Sequence, residues 1–305
     1  MKTPTISVVM ATYNGARYIR EAIDSALSQT LPPTEIIVVD DGSVDETAGI
    51  LRSFGDRITV VRQTNQGHSA ARNAGLAVAT GEFIALLDHD DTSKPERFER
   101  QWRTLQENPD AASCFSGYWL FNDQGVLREC PASTGAARRP AIEYLGSVLF
   151  HYPTAFFRRS MANGVRFPTG IQAGEDIIFC AILATRGALV AVEEPLYGYR
   201  LHETQLSRRS QASTSSNRYF EDRYGWVKEH WKEHWSDTSW AAIEKTLWGG
   251  LVRQTEDAYW ARNRAFFVND RDYIRARWPS HLPTPSVAGW RWYPNWLWAL
   301  KNLID

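Results

Sequence analysis

A chain of 305 residues with 34 basic and 35 acidic side chains carries a net charge of −1, so it has no bulk electrostatic attraction for nucleic acid, and no nucleic-acid partner is expected. It is long enough to bury a sizeable core, as one large domain or a main domain with a smaller companion. Its three cysteines, Cys114, Cys130 and Cys180, are widely spaced and odd in number, which argues against a disulfide framework or a cysteine metal motif and fits a reducing compartment. The apolar run near the N-terminus is too short for a signal peptide, and no apolar stretch approaches the ~20 residues that span a bilayer, so a cytoplasmic location is expected.

The first half alternates strand and helix signals. Ile6–Ala11 is a short β-branched run, and Ile19, Ala22, Ile23, Ala26 and Leu27 then recur at helical spacing. Leu31-Pro32-Pro33 ends that helix, and Glu35–Val39 reads as a second strand. Asp45–Phe54 reads as a helix, Ile58–Arg62 as a third strand, Ser69–Ala79 as an Ala-rich helix stopping at Gly81, and Phe83–Leu87 as a fourth strand. This alternation predicts a mostly parallel sheet covered on both faces. Ala111–Leu120 has strand character, Gln124–Arg139 reads as loop, Glu175–Arg186 as a helix entered through Gly174, and Leu189–Val192 as a late strand. Arg208–Asn217 is polar and Ser-rich and reads as a linker. Beyond it, Trp240–Arg264 and Asp270–Trp278 read as helices of a helical extension. The expected division is 1–210, with halves at about 1–110 and 111–210, and 211–305.

Open α/β sheets bind ligands beyond the carboxyl ends of their strands. The polar signals fall there: Thr12-Tyr13-Asn14 after strand one, Asp40-Asp41-Gly42-Ser43 after strand two, and Asp88-His89-Asp90-Asp91 after strand four. Three carboxylates at the end of a buried strand repel one another unless a cation shares their charge. A divalent metal held by one or two carboxylates usually completes its shell with phosphate. The pattern points to an enzyme that handles a nucleoside diphosphate.

The chain resembles the family 2 glycosyltransferases of the GT-A (Rossmann-like) nucleotide-diphospho-sugar transferase fold. The resemblance rests on Ser7–Asn14, Val38–Ser43 with Asp45-Glu46-Thr47, Gly67–Gly75, Gly81-Glu82-Phe83 leading to Asp88–Asp91, Gly174-Glu175-Asp176 and Tyr199-Arg200-Leu201-His202. It covers roughly residues 5 to 205. It implies an inverting, metal-dependent hexosyl transfer from a nucleotide sugar, a UDP-sugar above all, to a glycan or lipid-linked saccharide in surface polysaccharide assembly.

By that resemblance Asp90 is the last residue of a DXD motif and binds Mn²⁺ or Mg²⁺, while Asp88 contacts the ribose or the metal shell; Asp91 shares the metal if the register differs by one. Asp176 is the base that deprotonates the acceptor hydroxyl, set against a helix-capping role for the Glu175-Asp176 pair. Glu175 is left as a supporting or acceptor-binding residue. Asp41 accepts a hydrogen bond from the nucleobase, Asp40 holds the loop, and Ala11, Thr12 and Tyr13 line the same pocket, with core packing the alternative for Tyr13. Arg72 pairs with the diphosphate or with Asp88 or Asp90, since its guanidinium suits either bidentate bond. His202 closes over the metal or diphosphate, a reasonable donor for Mn²⁺, or is a polar loop residue. His89 receives no chemistry. His230 and His234, at i and i+4, lack the zinc-protease pattern and read as a solvated helix face. The tail Trp290–Ile304, aromatic with basic neighbours, reads as a peripheral contact of 286–305 with the inner face of the membrane, or as a packed tail, dimer contact or sugar platform. Two rival functions remain in view. A sugar-nucleotide nucleotidyltransferase would carry an N-terminal Gly-rich loop, which is absent, and a non-catalytic carbohydrate-binding scaffold would have no need of a base.

Overall fold

The structure, a computed structural model, describes residues 3–134, 138–146, 150–171, 174–205, 216–260 and 264–289. The chain divides into two compact units, 1–203 and 204–305.

The first unit begins with β1 (Ile6–Thr12), α1 (Ile19–Leu27), β2 (Glu35–Asp40), α2 (Thr47–Arg52), β3 (Thr59–Arg62), α3 (His68–Val78) and β4 (Phe83–Leu86). β3, β2, β1 and β4 lie side by side in parallel. β1, β2 and β4 are buried along nearly their whole length, which is why they read as continuous apolar runs rather than alternating ones. α1 buries Ile19, Ala22, Ile23 and Ala26, and each isoleucine side chain contributes about 1.5–3 kcal/mol by leaving water. α3 lies against β1 and β2 through Gly75, where a Cβ would come 2.5 Å from Val9 Cγ1 and 3.3 Å from Val39 Cγ2.

The second half of this unit holds β5 (Thr92–Ser93), α4 (Arg97–Glu107), β6 (Ala111–Asn122), β7 (Gly125–Cys130), β8 (Phe156–Arg158), α5 (Glu175–Ala184) and β9 (Ala188–Arg200). The sheet runs β3-β2-β1-β4-β8-β6-β9-β5, with β7 added to β6. β8 is antiparallel to both β4 and β6, whereas β6 and β9 are parallel. The result is a mixed, mostly parallel sheet with flanking helices, as the strand–helix alternation implies.

Five elements differ from the sequence reading. The segment 124–139, expected as loop, contains β7. Asn122 Oδ1 accepts the Gln124 N–H at 2.9 Å and Gly125 takes φ +122°, so the chain turns back on β6. β7 is exposed on both faces, so no apolar alternation marks it. The late strand extends from Ala188 to Arg200, its continuity hidden by the polar Glu193-Glu194-Pro195 interruption, where the register with β6 shifts. α4, β5 and β8 are additional elements. α4 is the consequential one, because its Arg97 is fully buried and donates to Leu86 O (2.9 Å), Ser93 Oγ (3.0 Å) and Gln101 Oε1 (3.1 Å). Burial lowers its pKa to about 10. An arginine there closes the hydrogen bonds at the end of β4.

Among the described residues the second unit contains three helices, α6 (Ser216–His234), α7 (Trp240–Trp260) and α8 (Arg264–Arg277), one more than the two expected. Trp248 is buried and meets the rings of Phe220 (4.6 Å), Tyr273 (6.0 Å) and Trp278 (5.5 Å), so these tryptophans build a core. His230 and His234 stack on Trp226 at 4.3 and 5.9 Å and are half-buried, not fully solvated. No helix among the described residues is long and apolar enough to cross a membrane. Residues 206–215, which take in most of the expected linker 208–217, and 290–305, which carry the Trp-rich tail, lie outside the described residues, and the last two linker positions, 216 and 217, already belong to α6.

A tight backbone crossing in the first unit is at Gly81, where a Cβ would fall 2.6 Å from Ser7 N and 2.9 Å from Ile6 C. Neither is a flexible atom. Gly81→Ala is expected to destabilise the protein by about 1–3 kcal/mol, read as a lower urea midpoint with unchanged slope.

Candidate active site

The carboxyl ends of β1, β2 and β4 turn into loops that are tied to one another. Asn14 sits in the left-handed region at φ 52°, its N–H donates to Ser43 Oγ and its Oδ1 accepts from Val44 N–H, both at 2.9 Å. Ala11 is half-buried, Thr12 is buried with no hydrogen-bond partner for Oγ1 among the described residues, and Tyr13 is 46% exposed, so its ring is not core packing. Gly15 passes between Thr12 and His89: a Cβ would lie 2.4 Å from Thr12 Oγ1 and 2.6 Å from His89 Cδ2. Asp40 Oδ1 accepts from Ser43 N–H at 2.9 Å and so holds its loop. Asp41 is buried, and its carboxylate gathers Gln63 Nε2 (2.7 Å) and the N–H groups of Gln66 and Gly67 (2.9 Å each). It therefore staples the 63–67 loop ahead of α3, a role the sequence did not disclose.

At the end of β4 each of the three carboxylates has a different partner. Asp88 Oδ1 accepts from Arg72 Nη2 at 2.8 Å. Asp90 Oδ2 lies 2.9 Å from His202 Nε2. Asp91 is buried and accepts from the Tyr197 hydroxyl (2.7 Å) and from the Arg200 backbone N–H (2.8 Å). Asp91 is thus turned into the protein toward β9, away from the place where Asp90 and His202 meet. Burial pushes the Asp91 carboxyl well above the usual carboxylate range, and the charges of Asp90 and Asp88 push it further. Burial also acts on Asp90, but the His202 hydrogen bond and the neighbouring His89 and His202 outweigh it and lower its pKa.

Arg72 has a second partner, with Nη1 3.4 Å from Glu175 Oε1. The same oxygen lies 2.7 Å from His68 Nε2. His68 and Arg72 are four apart on α3, hence on one face. His68 was not singled out from sequence; its position one turn before Arg72 within Gly67–Gly75 was the available signal. Glu175 is buried at the start of α5, entered through Gly174 at φ 88°. Burial raises its pKa, but His68 and Arg72 outweigh that and lower it.

Asp176 lines a narrow cavity with Arg72, Leu86, Tyr152, Phe167 and Cys180. Burial and the adjacent Glu175 carboxylate raise its pKa to about 7. Its Oδ1 accepts only its neighbour's Ile177 N–H, at 2.7 Å, among the bonds described. A carboxylate with that environment is poised to exchange a proton near neutral pH.

Among the described residues no three His, Cys, Asp or Glu side chains converge on one point. Asp90 and His202 supply one oxygen and one nitrogen donor, half-buried and facing each other. That pair fits a divalent cation whose remaining positions are filled by water and phosphate, in the manner of sites that take only one or two protein carboxylates.

A mixed sheet whose acidic loops gather at one edge beside a buried carboxylate defines the GT-A class of fold. The chain matches the model for "Glycosyl transferase family 2" over residues 7–165, just over half its length, and it belongs to that family. It is 32% identical over 225 residues to EpsH of Bacillus subtilis, covering 69% of this chain and 65% of EpsH. It is 31% identical over 221 residues to the succinoglycan biosynthesis protein ExoO of Rhizobium meliloti, covering 68% of this chain and 64% of ExoO. The match thus spans a little under two thirds of either relative. Two solved structures share the fold: Staphylococcus aureus TarS 1-349 in complex with UDP-GlcNAc (TM-score 0.64, 23% identity, 89% of this chain and 81% of that one), and the mannosyltransferase PcManGT from Pyrobaculum calidifontis in complex with GDP-Man and Mn²⁺ (TM-score 0.60, 17% identity, 100% and 81%).

The raised pKa of Asp176 has a stability signature. Below about pH 4 the carboxyl is protonated in both folded and unfolded chains; between about 4 and 7 only the folded chain holds the proton, so this group's contribution falls as pH rises, by up to about 1.4 kcal/mol per pH unit. Asp176→Asn is expected to raise the melting temperature at pH 8 by several degrees and to leave it nearly unchanged at pH 4, as measured by calorimetry.

Proposed function

We propose that this family 2 chain is an inverting, metal-dependent glycosyltransferase that moves a sugar from a nucleoside-diphosphate donor, a UDP-sugar, to a hydroxyl of a glycan or lipid-linked saccharide in polysaccharide assembly. The observation that carries the proposal is the Arg72 bridge: one guanidinium pairs with Asp88 on the acidic turn and with Glu175 beside Asp176. It couples the donor end of the sheet to Asp176, whose pKa is raised to about 7. The ligands of the two solved structures, UDP-GlcNAc in one and GDP-Man with Mn²⁺ in the other, and the succinoglycan role in the name of ExoO support the donor, cation and product classes.

In this reading Ala11, Thr12, Tyr13 and Asp41 receive the nucleobase. A carboxylate has about four lone-pair sites, and the Asp41 carboxylate accepts three described hydrogen bonds, two at Oδ1 and one at Oδ2. A site on Oδ2 therefore remains for a base N–H. Tyr13 offers an exposed aromatic face. Asp88 meets the ribose while Arg72 keeps it oriented. Asp90 and His202 hold Mn²⁺ or Mg²⁺, which when bound neutralises the charge that builds on the departing diphosphate.

Asp176 accepts the proton of the acceptor hydroxyl as that oxygen forms a bond to the anomeric carbon. The bond from that carbon to the diphosphate oxygen breaks on the opposite side, and its electron pair leaves with the nucleoside diphosphate. A single displacement inverts the anomeric centre, in contrast to the two-carboxylate retaining scheme. Glu175, fixed as an anion by His68 and Arg72, keeps Asp176 basic enough for this step.

Asp176→Asn is expected to retain UDP binding and to lower sugar transfer by about 10²–10⁴-fold. The unsubstituted enzyme's rate is expected to rise with pH through about 7, the pKa of Asp176. Sugar release from a panel of labelled UDP-sugars, followed across pH for both proteins, measures this. Undiminished transfer by the variant would place the base elsewhere.

A further inference from the structure

Arg200, the last residue of β9, is 5% exposed and contacts both the turn that carries Asp90 and the Tyr18 ring that meets His202. Its Nε donates to the Asp90 carbonyl oxygen at 2.8 Å, and its backbone N–H donates to Asp91 Oδ1 at 2.8 Å. Its Nη2 reaches Glu21 Oε2 on α1 at 2.5 Å. The guanidinium carbon lies 4.6 Å from the Tyr18 ring centroid and 4.3 Å from that of Phe121. Tyr18, at the entry to α1, also meets the imidazole of His202 at 4.9 Å with the rings tilted by 50°.

Burying a guanidinium is costly unless its donors are matched, and here acceptors on the turn after β4 and on α1 meet Nε and Nη2 while the Tyr18 and Phe121 rings cover the planar group. The bond to the Asp90 carbonyl fixes the peptide plane that follows Asp90. Together with the Arg200 N–H bond to Asp91 Oδ1, it ties the Asp90-Asp91 backbone to the end of β9 and so restrains the Cα from which the Asp90 carboxylate projects. Arg200 and His202 are separated by one residue, so the same anchor fixes the backbone that presents the imidazole. Tyr18 then limits the ring's rotation.

We propose that Arg200 is a positioning residue for the cation. It holds the Asp90 carboxylate and the His202 imidazole at the spacing that one metal ion requires, and Tyr18 extends that hold to the imidazole ring. The inference rests on the reading of Asp90 and His202 as cation ligands. Groups that orient metal ligands from one shell out typically change metal affinity by about 10–100-fold when altered. Lysine at 200 keeps the charge but has no planar fork with which to reach Asp90 O and Glu21 together while lying between two rings.

The test is a titration of Mn²⁺ into the full chain with UDP at saturation, followed by electron paramagnetic resonance. UDP binding under chelation is measured in parallel by calorimetry. Arg200→Lys is expected to weaken Mn²⁺ by about 10–100-fold and to leave metal-free UDP binding unchanged, a split that general loosening of the fold would not produce. Unchanged Mn²⁺ affinity in Arg200→Lys, with the unsubstituted chain binding Mn²⁺, overturns the positioning role and leaves the metal reading standing. Failure of the unsubstituted chain to bind Mn²⁺ overturns both. If the melting curve shows that Arg200→Lys does not fold, Tyr18→Ala decides: weaker Mn²⁺ at unchanged metal-free UDP binding supports the proposal, and unchanged Mn²⁺ overturns it.

Discussion

Mutual repulsion among Asp88, Asp90 and Asp91 is the constraint around which the first unit is organised. Four consecutive residues at the end of a buried strand carry three carboxylates, and such a turn is stable only if each charge is met separately. Arg72 meets Asp88, His202 faces Asp90, and Tyr197 with the Arg200 N–H meets Asp91. The three solutions come from different parts of the chain, α3, the segment after β9, and β9 itself. Assembling this turn therefore requires the parallel first half and the mixed second half to be docked correctly.

That requirement explains two otherwise puzzling features. Arg97 is buried at the foot of the turn, where it satisfies the Leu86 carbonyl and lies 4.8 Å from the Tyr197 ring centroid, while Tyr197 donates to Asp91. β9 is long because it must pair with β6 along its length and still deliver Tyr197, Arg200 and His202 to the acidic turn. Asp176, the proposed base, lies on the helix just before that strand. One continuous stretch, α5 through β9 to His202, thus carries both the proposed proton acceptor and the proposed histidine ligand of the cation.

Much of this was legible in the sequence because the signals were local. The apolar runs of β1, β2 and β4 and the acidic residues that follow them needed only strand periodicity and the rule that ligands gather at carboxyl ends. Arg72 beside Asp88 was foreseen as one of several pairings. The structural role of Asp91 was not, because the hydroxyl and N–H that satisfy it lie more than a hundred residues away. Asp41 was legible as a polar loop residue but not as the staple of residues 63–67, since its donors are two backbone groups and a glutamine with no sequence signature. β7 escaped because an edge strand exposed on both faces has no alternation, and α4 because two of its four buried residues, Arg97 and Gln101, are polar types that ordinarily read as surface.

The central claim is that Asp90 and His202 form a cation site that serves a nucleoside diphosphate. Calorimetric titration of UDP into the protein, once with Mn²⁺ and once after chelation, tests it most directly. Binding that strengthens at least about tenfold with Mn²⁺, and whose strengthening disappears in Asp90→Ala, is the predicted result. UDP binding of equal affinity with Mn²⁺ and under chelation would contradict it.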